Sequence, residues 1–143
     1  MKRDGRTHGD RGQSLVELAL VLPLLALILL GILDLGRVFH AYITITNAAR
    51  EGAFYASVCI PEADPVRGCP NNSPIQSWVV AEAAGSGITI SAADVLVERP
   101  SSAPGQPVTV KVSVPFSALS TMIGSFWGGG ALTLRSEAAV VIR

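Results

Sequence analysis

Apolar residues are distributed unevenly along this chain: one unbroken block lies near the N-terminus, and alternation with polar residues marks the C-terminal half. From Leu18 to Leu33 no side chain is charged, and tolerating Glu17 extends the block back to Leu15. That run of roughly 19 residues is long enough to cross a bilayer as a helix. After Asp34 the pattern becomes amphipathic. Leu35, Val38, Phe39, Tyr42, Ile43, Ile45, Ala49, Ala53 and Phe54 recur mostly at three- and four-residue steps, with Arg37, Asn47, Arg50 and Glu51 between them. This periodicity predicts that the helix continues with an apolar stripe turned to a core. One helix from about Ser14 to Ala56 would be roughly 65 Å long, about twice a membrane thickness, so its second half stands outside and packs on a domain. Pro23 falls within the apolar block. Membrane helices accept proline when neighbours satisfy the freed carbonyl, so Pro23 is either a harmless kink or a softening that helps a subunit enter or leave an assembly.

Beyond residue 57 the pattern changes. Residues 58–72 read as a loop rich in Pro, Asn and Asp. Ser73-Pro74-Ile75-Gln76 predicts a helix start, with Ser73 as N-cap, Pro74 at the first helical position and Gln76 closing a capping box. Ile75, Trp78, Val79 and Ala83 share one face of that helix, and Gly85-Ser86-Gly87 ends it. Three strand regions follow: Ile88 to Arg99; Val108 to Phe116, where valines alternate with Thr109, Lys111 and Ser113; and Ala131 to Ile142. Pro100 to Pro107 connects the first two as a polar loop. The expected fold class is α+β: a long N-terminal transmembrane helix that extends into a small head with a short helix and a roughly three-stranded antiparallel sheet. The Phe126-Trp127 pair and the three glycines after it read either as core cover or as a loop that meets lipid or a partner.

Composition and charge sharpen this division. The 143 residues are 49% hydrophobic and 15% charged, which suits one membrane segment plus one small domain better than a soluble enzyme. The formal charge is zero, yet Lys2, Arg3, Arg6 and Arg11 outweigh Asp4 and Asp10, so the first twelve residues form a basic arm. Basic residues before the span keep the arm cytoplasmic and place the rest of the chain outside. The apolar run is too long for a secretory h-region and has no small-x-small cleavage site at its end, so it reads as retained. No basic face survives beyond the arm, which excludes a nucleic-acid footprint. Cys59 and Cys69 flank a short loop. Two free buried thiols and a zinc site are the other readings, but zinc needs more ligands than two cysteines and distant His40 supply. A disulfide is favoured, in keeping with an oxidising compartment, and closing so short a loop contributes on the order of 2–3 kcal/mol.

Two motifs on the long helix carry a resemblance. In Arg11-Gly12-Gln13-Ser14-Leu15-Val16-Glu17 the acid is the fifth residue after the glycine, and this resembles the processing site of type IV prepilin-like proteins. The segment Asn47-Ala48-Ala49-Arg50-Glu51-Gly52 continues through Ala53 and Ala56 and offers a face of small residues for close packing. By itself such a face belongs to a helix packed on its own domain. Together with the leader and Leu22-Pro23-Leu24-Leu25, it resembles the TadE-like family, the minor pilins or pseudopilins of tight-adherence (Flp, type IVc) pili. The resemblance covers residues 11–57.

The resemblance implies a division into a cytoplasmic leader (1–12), a pilin-like transmembrane and extended helix (13–57) and an extracytoplasmic head (58–143). It implies cleavage between Gly12 and Gln13 by a prepilin peptidase. It also implies assembly with other pilin or pseudopilin subunits, as a homo-oligomer or filament, by the tight-adherence machinery of the bacterial cytoplasmic membrane. Glu17 would pair with the freed amine of Gln13 on a neighbouring subunit. No catalytic set, phosphate-cradling loop or metal-ligand cluster assembles in the sequence, so neither a cofactor, a metal nor a small-molecule substrate is expected, and the protein reads as structural rather than enzymatic. A membrane-anchored binding module with an unprocessed signal anchor is the alternative; it would keep its leader and present a site on the head.

Overall fold

A computed structural model of the protein describes residues 9–59, 71–117 and 132–142. Its first element, α1, runs from Gly9 to Val58 without interruption. Pro23 lies inside it, where the missing N–H leaves the carbonyl of Ala19 without its helical donor. The helix is apolar all round from Leu18 to Leu33: Leu18, Leu20, Leu24, Leu29 and Ile32 are all exposed. None of its most apolar 18-residue window is buried within the chain, and by length and composition it can cross a membrane.

Packing begins at Asp34, and it uses only part of the stripe expected from periodicity: Ile45, Ala49 and Ala53 are buried and Val38 packs against the core. Leu35 and Phe39 are 69% and 64% exposed, and Tyr42, Ile43 and Phe54 also face outward. Ala41, Thr44, Ala48, Gly52 and Ala56 complete the buried face. The physical reason lies in the partner layers. A second helix, α2 (Ser73–Gly85), and the middle strand both press against this side of α1 and bring their own valines, so only small side chains fit beneath. Ile45 is the exception, fully enclosed.

The start of α2 also departs from expectation. The helix begins at Ser73 with Asn72 as N-cap, and no side chain caps it. The Asn71 side chain accepts from the Ser73 N–H at 3.0 Å, and Gln76 does not close a capping box. Its Nε2 donates instead to the carbonyl of Val95 at 3.0 Å, a tertiary bond that a local signature cannot anticipate. The other end follows the glycine rule: Gly87 adopts φ +80°, its N–H donates to Ala84 O, and Ile88 N–H donates to Ala83 O, a Schellman closure. Ile75, Val79 and Ala83 are buried, whereas Trp78, expected on the same face, is 49% exposed and stacks on Tyr55 at 5.3 Å between ring centroids.

Three strands form an antiparallel meander in the order β1 (Val95–Glu98), β2 (Pro107–Phe116), β3 (Leu132–Val141). The expected strand from Ile88 to Arg99 is therefore shortened. Ser91 and Asp94 close a reciprocal cap around a single 3-10 turn, Ala92–Asp94, which delays extension until Val95. Along β2 the alternation holds: Val108, Val110, Val112 and Val114 are buried against the helices, and Thr109, Lys111 and Ser113 face the other way. Gly105, at φ +85°, turns the chain between β1 and β2, and its N–H donates to Ile142 O at 2.9 Å, which ties the end of β3 to that turn. The fold is thus α+β, with a long apolar N-terminal helix, one further helix and a three-stranded sheet.

Candidate assembly helix

The residues singled out by sequence lie on α1 in two groups, one at each end. Gly12, Gln13 and Glu17 belong to its first turns, and with Val16 and Leu20 they line a shallow surface cleft. Gln13, Glu17 and Pro23 are exposed. A Cβ built on Gly12 would meet nothing within 4 Å, so no packing contact requires glycine here. Among the described residues Glu17 has neither an ion-pair nor a hydrogen-bond partner. In hydrocarbon that carboxylate would cost roughly 2.5–3.5 kcal/mol on insertion scales, so another molecule must offset it if this stretch spans a bilayer.

Asn47 to Gly52 lies roughly 45 Å further along the helix, so the two motifs do not meet. Here the chain packs on itself. Ala48, Ala49 and Gly52 are buried, and Asn47, Arg50 and Glu51 remain outside. Gly52 marks the closest approach: a Cβ placed there would overlap Val79 Cγ2 of α2 and lie 3.4 Å from Val110 Cγ1 of β2. Only glycine lets α1 cross both elements at this depth.

Other contacts fix the angle between helix and head, and the sequence did not single them out. Arg37 Nη1 donates to Asp34 Oδ1 at 3.3 Å, and its guanidinium carbon lies 5.2 Å from the centroid of the Phe116 ring at the end of β2. Asp34 is 5% exposed, a buried acid at the point where the apolar block ends. The Asp-x-x-Arg spacing was the available signal, since i,i+3 places both groups on one helix face; the aromatic partner had none. Ser136 Oγ donates to Thr46 Oγ1 at 3.1 Å and so links β3 to α1. At the far end Arg99 Nη2 donates to the carbonyls of Ala56 and Cys59, at 2.8 and 3.1 Å. The carbonyls at and just beyond the end of α1 lack helical donors, and a cation is the favoured group there. Burial pulls the Arg99 pKa below its ordinary value, yet a guanidinium remains charged at any physiological pH.

Cys59, the residue after α1, is 4% exposed. Cys69 lies outside the described residues, as does the Phe126-Trp127 segment. His40 is exposed on α1. Among the described residues no group of three or more His, Cys, Asp or Glu side chains is placed to hold a metal ion.

No curated protein and no solved structure matches the chain. A family model does. Over residues 12–53, from the glycine of the arm to the packed Ala53, the chain matches the family described as TadE-like protein, structural and associated with pili.

Proposed function

We propose that this protein is made as a prepilin-like precursor and cleaved after Gly12, and that it then joins other pilin or pseudopilin subunits through the tight-adherence machinery for surface adhesion. It works by association and not by catalysis. The observation that carries the reading is the family match over residues 12–53, which spans both the glycine-acid leader and the small-residue segment. The all-round exposure of the apolar half of α1 supports it, because such a surface calls for lipid or neighbouring helices. The basic arm favours a cytoplasmic N-terminus, with the head outside the cytoplasmic membrane.

In this reading residues 1–12 are the leader, 13–57 the pilin-like helix and 58–143 the head. Unpaired Glu17 receives the amine of Gln13 from a neighbour, Pro23 softens the span for entry into the assembly, and Asn47, Arg50 and Glu51 are available to lateral partners. A Cys59–Cys69 bridge staples the loop above α1 once the head reaches an oxidising compartment.

The deciding experiment is intact-mass analysis of the full chain extracted from cells with and without a prepilin peptidase. The expected product begins at Gln13, and Gly12→Ala stays full length. An unaltered N-terminus in peptidase-positive cells would refute processing and leave the membrane-anchored binding module.

A further inference from the structure

Where α1 leaves its apolar block, a groove of about 610 Å³ opens between the helix and the underside of the head. Its helix wall comprises Ile32, Leu33, Gly36, Arg37 and His40, and its head wall includes Thr89 and Phe116. The volume falls within the range of small-ligand clefts, about 300–1,000 Å³. Two features give the groove a chemical preference. Among the described residues no carboxylate lines it, whereas Arg37 and His40 both do. Its lower lip, Ile32 and Leu33, is exposed apolar surface continuous with the rest of the span.

Arg37 is held ready rather than consumed. Its Nη1 takes Asp34 and its face rests over Phe116, which fixes the plane of the guanidinium. Among the described residues that is its one hydrogen bond, out of the five donors a guanidinium carries. Its side chain remains 46% exposed. A planar fork fixed in this way suits a tetrahedral oxyanion, which it can bind through two parallel N–H donors. His40, three residues and just under one turn further along, adds a ring donor to the same groove.

We propose that this groove binds the phosphate of a membrane phospholipid, with the acyl chains lying along Ile32 and Leu33. The proposal rests on the reading of α1 as a membrane span. Its occupant follows from the position of the groove: Arg37 and His40 sit within one or two turns of Leu33, the last residue of the uncharged block, at the level where lipid headgroups begin.

The test uses the full chain, delipidated in non-ionic detergent and titrated by native mass spectrometry. Phosphatidylglycerol is the probe; a diacylglycerol of the same chains and soluble glycerol phosphate are the comparison arms. Phosphatidylglycerol should be retained well above both. Asp34→Asn combined with Arg37→Gln removes the cation without stranding a buried acid, and should weaken retention about tenfold, the loss of one strong charge-assisted contact. His40→Gln, at an exposed position, should weaken it about threefold on the same scale without touching the fold. The near-ultraviolet signal of the Trp78–Tyr55 stack reports that the head is intact. Equal retention of diacylglycerol would reduce the groove to ordinary lipid contact, and equal binding of glycerol phosphate would make it a soluble-anion site. Unchanged retention by the paired variant would overturn the role of Arg37. Alkaline extraction of native membranes asks separately whether the chain is inserted, so failure of the membrane reading is distinct from failure of the groove.

Discussion

Replacing Gly52 by alanine sets two measurable effects against each other. At an exposed helical site the change stabilises by about 1 kcal/mol, because glycine is the poorer helix former. At Gly52 the new methyl would overlap Val79 Cγ2 and press on Val110 Cγ1 at 3.4 Å, and both valines are fully buried. Overpacking of a close-packed interior typically costs about 1–3 kcal/mol, and neither valine can move without displacing α2 or β2. The expected result for Gly52→Ala is a net loss of up to about 2 kcal/mol, the overpacking cost less the propensity gain. Gly36 supplies the internal control: it lies on the same helix with nothing within 4 Å of a built Cβ, so Gly36→Ala should be neutral or stabilising by up to about 1 kcal/mol. The same chemical change should thus have opposite signs at two glycines of one helix. Urea unfolding of the full chain in detergent, followed through the Trp78–Tyr55 signal, measures both. Val79→Ala should partly rescue Gly52→Ala, with a coupling of about 1 kcal/mol or more, because the methyl then occupies the space vacated. If Gly52→Ala is as stable as Gly36→Ala, and additive with Val79→Ala, the close crossing of α1 over α2 is wrong.

Three further outcomes are expected. Glu17→Gln keeps size and hydrogen bonding but removes the charge, so crosslinking and pilus assays should show impaired association while processing and head stability persist; breaking such a pair in a low-dielectric site can cost about 3–5 kcal/mol, and wild-type assembly would reduce Glu17 to a tolerated polar residue. Arg99→Met should destabilise the head by about 1–3 kcal/mol in denaturant unfolding, since the carbonyls of Ala56 and Cys59 lose a charged donor; Arg99→Lys should fall between, as a point charge does not reproduce the fork. Reduction should lower head stability by about 2–3 kcal/mol without affecting membrane insertion, and labelling of both Cys59 and Cys69 in unreduced native protein would rule the bridge out.

Period and turn chemistry were legible in the sequence because both act over a few residues. The uncharged block from Leu18 to Leu33 required a helix whose own surface is apolar, and the valine alternation from Val108 to Val114 required a strand with one buried face; both follow from the geometry of a single element. Gly87 and Ile88 likewise end α2 through bonds to residues three and five positions back, respectively. The glycine-acid spacing of Gly12 and Glu17 and the small-residue segment could be read for the same reason, since each is a contiguous pattern on one helix. The tertiary structure decided how near the layers come and therefore which residues they cover. Hydrophobicity favoured Leu35, Phe39 and Phe54 for the core, yet α1 lies so close to α2 and β2 that its alanines and Gly52 are buried and the large side chains are left outside. Gln76 was drawn from a local cap to the carbonyl of Val95, and Arg37 found Phe116 far along the chain. Such pairings depend on distances between elements, and hydrophobic periodicity carries no information about distance.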